Sequence, residues 1–114
     1  MIETIVLNAL AEQLDVPVYM EVPEEKVASY VILQKTGSSR TNRLDSATFA
    51  VQSIAESLYD AATLNEICKS VMDSLPILCE EVFGSALDSD YNYTDTTTKE
   101  RRYQAVYIIT YKEV

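Results

Sequence analysis

At 114 residues, the chain is long enough to bury one shared core and too short for two, so residues 1–114 are read as a single domain. Its 47% hydrophobic and 24% charged content is that of a globular chain and excludes the charge-rich signature of a disordered one. A net charge of −9 argues against a nucleic-acid grip supplied by this chain, because such grips need clustered cations to displace counterions.

Residues 1–14 carry Glu3 where a secretory leader has basic residues, and their apolar positions are spaced and not continuous. No stretch approaches the roughly 18 uninterrupted apolar residues of a membrane helix. The expectation is a soluble protein, made inside a cell, with no membrane partner. Cys68 and Cys79 are too few for a disulfide framework, and their apolar surroundings favour packed, reduced thiols.

Along residues 2–14, Ile2, Ile5, Val6, Ala9, Leu10 and Leu14 recur at three- and four-residue steps and trace one face of an amphipathic helix. Asp15 and Pro17 end it, since the residue before a proline is pushed out of the helical region. Residues 18–22 then read as a short strand closed by a turn at Pro23-Glu24-Glu25, and residues 30–35 as a second strand, the pair forming an antiparallel hairpin.

Residues 36–43, Thr-Gly-Ser-Ser-Arg-Thr-Asn-Arg, hold no apolar side chain and read as an exposed connection, mobile until a partner supplies contacts. After it, Ala47, Phe49 and Val51 alternate with Ser46, Thr48 and Gln52, the period of a strand with one face on the core. Ser57 with Asp60 reads as a helix start, followed by Leu58, Ala61, Ala62, Ile67, Cys68, Val71, Met72 and Leu75 at helical spacing until Pro76 stops it. Thr63 with Glu66 offers a later start.

Residues 77–84 give no clear signal. Residues 87–95 alternate Tyr91 and Tyr93 against Asp90, Asn92 and Thr94, and residues 102–112 form a long strand with Tyr103, Tyr107, Ile109 and Tyr111 on one face and Val106 and Ile108 on the other. The expected fold is therefore α+β: an antiparallel sheet of about five strands with two helices packed on one face, in the order α-β-β-β-α-β-β. Two helices of this size cover one face only, and a last strand apolar on both sides calls for a partner surface on the other, most simply a second copy of the chain.

Histidine is absent, which removes the commonest general base and metal ligand, and with them Ser-His and Cys-His nucleophilic pairs. Two cysteines eleven positions apart across Pro76 match no zinc or redox spacing, and Gly37 and Gly84, the only glycines, build neither a P-loop nor a dinucleotide fingerprint. The adjacent carboxylates Glu24 and Glu25, and Glu80 and Glu81, occupy ordinary solvated positions. No cofactor and no catalysed reaction are expected, a carboxylate-dependent hydrolase being the enzyme alternative. Two basic islands stand out: Lys35, Arg40 and Arg43, and Lys99, Arg101 and Arg102. They are the candidate assembly interface, suited to an acidic neighbour or a DNA phosphate, with a solvated loop as the plain reading. Tyr30, Tyr59 and Tyr107 suit either an interface or the core.

Taken in order, the helical opening, Val16-Pro17-Val18-Tyr19, Val22-Pro23-Glu24-Glu25, Tyr30-Val31-Ile32-Leu33-Gln34, the Gly/Ser/Arg/Asn loop, a strand before an Ala-rich helix, and Arg102-Tyr103-Gln104-Ala105-Val106-Tyr107 resemble the tail-terminator, or tail-completion, proteins of long-tailed bacteriophages and prophages. The likeness lies in the order and spacing of these motifs across nearly the whole chain. It implies a structural subunit of the virion neck, assembled in the bacterial cytoplasm into a homo-oligomeric ring, typically a hexamer. Such a ring caps the tail tube, joins it to the head connector and lets DNA pass without sequence-specific binding. Six copies multiply the charge of −9 sixfold, and carboxylates lining the channel would repel the transiting DNA. The resemblance carries over no catalytic residue. Another neck or head-closure protein, or a host adaptor or inhibitor binding through its exposed sheet face, shares the same size, acidity and lack of chemistry.

Overall fold

The spacing of Ile2, Val6, Ala9 and Leu10 builds a helix with one buried face, α1 (Ile2–Gln13) in the computed structural model, which describes residues 1–112. The chain continues through β1 (Val18–Tyr19), β2 (Tyr30–Thr41), β3 (Leu44–Ala55), α2 (Leu58–Asp73), a single turn α3 (Leu75–Leu78), β4 (Val82–Asn92) and β5 (Arg101–Tyr111). The five strands form one sheet in the order β1-β2-β3-β5-β4. It is mixed but mostly antiparallel, with the two main helices packed against it, so the α+β class and the order α-β-β-β-α-β-β hold.

Ser57 caps α2 by accepting the Asp60 N–H at 3.1 Å, which fixes the earlier of the two possible starts. Ala61, Leu64, Cys68, Val71 and Met72 then turn toward the strands. Phe49 of β3 and Met72 of α2 are both 0% exposed and belong to one apolar cluster with Val6, Leu10, Leu33, Tyr107 and Ile109. Inward-facing positions of three strands interleave there with both helices, as the alternation in residues 46–52 predicts. Tyr107 reaches through this layer and donates its hydroxyl to Asp73 Oδ1 at 2.8 Å, tying β5 to the end of α2. Cys68 and Cys79 are buried and unbridged.

Several expectations are corrected. β1 and β2 are parallel neighbours and not a hairpin, with Val18 opposite Val31 and Tyr19 opposite Ile32. Residues 20–29 are too long for a tight antiparallel turn and carry the chain back to its starting end before β2 begins. The polar stretch 36–43 is not a loop: β2 runs through it to Thr41, and β3 begins at Leu44. Asn42 and Arg43 form the two-residue turn, with φ of 51° and 68°, the left-handed pair that suits the twist of a tight hairpin. Both sides of β2 are exposed in this part, so no hydrophobic alternation marks it as a strand.

α2 ends at Asp73, before Pro76, which instead sits in the first turn of α3, where its missing N–H costs nothing. β4 spans Val82–Asn92 and not residues 87–95, and two register shifts, at Val82/Gly84 and Leu87/Ser89, interrupt its period-two pattern. Tyr59 is 80% exposed on α2 and belongs to no core, whereas Tyr30 and Tyr107 are buried.

Candidate assembly interface on the helix-free sheet face

Side chains alternate across a strand, so the registers sort the sheet into two faces. Val31, Leu33, Ala47, Phe49, Val51, Ala105, Tyr107 and Ile109 meet the helices, leaving Gln52, Ile54, Arg102, Gln104, Val106 and Ile108 on the other side. The helix-free face is arranged in rows across the strands. One row runs Thr48, Ile108, Ala86; the next Ala50, Val106, Ser89; the next Gln52, Gln104, Tyr91.

The last of these rows belongs to a chain of polar contacts. Gln52 Nε2 donates to Gln104 Oε1 at 2.8 Å, and Gln104 Nε2 donates to the Tyr91 hydroxyl. In the other direction Arg102 Nη1 donates to Gln52 Oε1 at 3.2 Å, and Arg102 Nη2 donates to Glu100 Oε1. Glu100 Oε2 accepts from the Tyr30 hydroxyl at 2.9 Å and from Lys26 Nζ at 3.1 Å. The guanidinium of Arg102 lies over the Tyr93 ring, 5.9 Å from its centroid, and Tyr91 meets Tyr93 edge to face. Residues 20–29, the approach to β5 and four strands are thus joined on one surface.

The electrostatics follow from this geometry. Burial raises the Glu100 carboxyl, but hydrogen bonds from Lys26 and Tyr30 and the charge of Arg102 outweigh it and hold the group below its ordinary value. Burial, then the hydrogen bond to Glu100, pushes the Tyr30 hydroxyl up to about 12. Both oxygens of Glu100 are occupied by donors, so it is suited to fastening and not to proton transfer. Arg102 Nε is buried without a partner in the protein. A second apolar cluster, Tyr30, Ile32 and Ile54 with Tyr19 against it, backs this end of the face. Between this network and the Ser46, Thr110, Gly84 row at the opposite end, the surface is apolar at Ile108, 39% exposed, and at partly exposed Val106.

Of the six basic candidates, Arg102 alone belongs to this chain of contacts. Lys99 has a left-handed φ of 58° and its carbonyl accepts from Arg101 Nη1. Lys35 reaches Glu3 of α1 at 3.2 Å, Arg40 pairs with Asp45 across its own hairpin at 2.6 Å, and Arg43 is exposed at the turn. Arg40 and Arg101 mark opposite ends of the sheet, since their β3 partners are Asp45 and its far neighbour Ala55. Ten residues of strand separate Arg40 from Arg101, roughly 33 Å, and six separate Lys35, level with Phe49, from Arg101, roughly 20 Å, so the islands are two surfaces and not one.

Other chemistry-bearing groups are held inert. Burial pushes the Cys68 thiol up to about 11, against a smaller opposing effect of the Ser53 hydroxyl that donates to it, and a protonated thiol is a poor nucleophile at neutral pH. Among the described residues no group of three or more His, Cys, Asp or Glu side chains is placed to hold a metal ion, and no helix is long and apolar enough to cross a membrane. The sequence reading missed Lys26, Glu100, Gln52, Gln104 and Tyr91 as members of one network. Gln52 and Gln104 each stand at outward positions of their strands, but their pairing is set by a register that links residues 52 positions apart. No protein-family model matches the chain, and no curated protein matches it.

Proposed function

We propose that this protein is a structural subunit of a long-tailed phage or prophage, a tail terminator whose copies form a ring that caps the tail tube and joins it to the head connector. It works by shape, with no cofactor and no catalysed reaction. The observation that carries the reading is the helix-free face: an ordered polar network adjoins there exposed Ile108 and partly exposed Val106, and a sheet face left without helices in so small a chain calls for a protein partner. The order of motifs described above supplies the class of assembly. The excess of carboxylates, a net −9 per chain, suits a passage through which DNA slides without sticking.

Removal of the gene from the phage or prophage that carries it tests the reading. Filled heads and unjoined tails are expected to accumulate, and the gene supplied in trans to restore joined particles. Normal particles without the protein would overturn it, as would a gene lying outside any virion cluster. Unjoined heads that lack a closed neck, beside properly finished tails, would instead assign the protein to head closure.

A further inference from the structure

The sheet has two open edges, and they differ in charge. β1 pairs with β2 only at Val31 and Ile32, so from Gln34 to Thr41 no strand among the described residues lies beside the outer side of β2. The other edge is β4. Residues 34–46 hold the cations Lys35, Arg40 and Arg43, the first two paired within the chain to Glu3 and Asp45, while residues 80–92 hold Glu80, Glu81, Asp88 and Asp90 and no cation, with Asp90 paired to Lys69 of α2. An open edge presents unpaired N–H and C=O groups and is a template for another strand.

We propose that the β2 edge of one copy pairs with the β4 edge of the next, continuing the sheet from subunit to subunit. Three features select this occupant. The first is strand direction: β2, β3, β5 and β4 alternate at every antiparallel step, so β2 and β4 run oppositely. Copies related by rotation about an axis along the strands therefore meet in antiparallel pairing, as within the sheet.

The second is register. One row across the sheet runs Lys35, Phe49, Tyr107, Leu87 and another runs Arg40, Asp45, Tyr111, Val82. Without any slip along the strands, Lys35 of one copy comes level with Leu87 and Asp88 of the next, and Arg40 comes level with Val82, beside the turn that carries Glu80 and Glu81. The third is discrimination. Pairing of two β2 edges sets cation against cation and pairing of two β4 edges sets carboxylate against carboxylate, so each edge rejects its own kind. The contact is head-to-tail, and such contacts close into rings where the rotation permits and otherwise extend as filaments.

Closure into a ring rests on the proposed function; the edge pairing does not, and a pair of cysteine variants separates them. Ser39 and Gly84 share a row through Ser46 and Thr110, and a Cβ at Gly84 meets only Thr110 at ordinary contact distance. Ser39→Cys and Gly84→Cys proteins, mixed and mildly oxidised, are expected to give a disulfide-linked dimer holding one chain of each, with neither variant cross-linking to itself. Arg43→Glu, or Glu80→Lys with Glu81→Lys, should lower both cross-linking and assembled mass at least tenfold, and combining the three changes should restore them. Cross-linking of Ser39→Cys to itself, no mixed product, or no rescue would overturn the edge pairing. A closed ring without the mixed disulfide sinks the edge pairing and spares the ring, whereas a mixed disulfide in open-ended filaments does the reverse.

Discussion

Gln52 of β3 and Gln104 of β5 stand directly opposite each other on the helix-free face, joined by a 2.8 Å hydrogen bond and only 8% and 9% exposed. Their amides bridge Arg102 on one side to Tyr91 on the other, so they tie three strands together. Gln104→Leu leaves the Gln52 amide with no side-chain acceptor, and a stability loss of about 1–3 kcal/mol is expected. Urea denaturation of both single variants and the pair should show coupling, with the double loss smaller than the summed single losses. Strict additivity would mean that the two amides act independently.

The core is tested at Phe49, which is fully buried in the layer that also holds Met72. Phe49→Ala is expected to cost on the order of 3–5 kcal/mol, combining lost transfer energy with the cavity left between strand and helix. A thermal midpoint near that of the parent protein would refute the packing.

Acid and alkali should destabilise the protein through different groups. Glu100 is held below its ordinary value of 4.5, so its contribution is full above that pH and lost as pH falls through the folded-state value. Tyr30 is raised from 10.0 to about 12, chiefly by burial. Its contribution is full below pH 10 and declines toward pH 12, and Lys69, raised by Asp90 and Glu66, likewise gives up stabilisation as pH rises. Tyr30→Phe should flatten part of the alkaline limb of a stability-against-pH curve, Tyr107 and Cys68 being raised elsewhere, and leave the acid limb in place. Glu100→Gln should flatten part of the acid limb, Glu3 and Asp45 being held down elsewhere. An unchanged alkaline limb in Tyr30→Phe would contradict the assignment.

The hairpin turn gives a prediction with opposite signs for stability and assembly. Arg43 sits at φ 68°, a region in which a side chain costs about 1–2 kcal/mol relative to glycine. Arg43→Gly creates the Asn-Gly pair favoured in such turns and should raise the unfolding midpoint of the isolated chain while weakening self-association. Reversing Arg40 as well would set two carboxylates together at Asp45 and confuse the two effects. A variant both less stable and equally assembled would contradict the turn and the interface together.

Much of the fold was legible because burial leaves a period. Ile2, Val6 and Leu10, and Ala61, Cys68 and Met72, mark their helices by spacing alone, and Phe49 and Val51 mark the inner face of β3. The signal failed where that period was absent. Gly37 to Thr41 form a strand exposed on both sides, and what defines it is the pairing with residues 44–48 and the backbone of Asn42 and Arg43. The bulges of β4 shift the alternation of its side chains midway. The β1–β2 pairing misled because two short strands around a proline look like a hairpin whether or not the chain doubles back. The network around Glu100 was illegible for a different reason: Tyr30, Gln52 and Arg102 become neighbours only through strand register, and Lys26 joins them from the irregular segment before β2.

The most direct test is the mass of the assembled protein, measured by native mass spectrometry across a range of concentrations and salt. A ring-forming subunit should appear as a closed species with a fixed number of copies of the 12.8 kDa chain, six being the number the resemblance implies. Electron micrographs should show an annulus, and salt should weaken it by screening the opposed edges. A monomer at every concentration, or a two-fold dimer that grows no further, would contradict the ring.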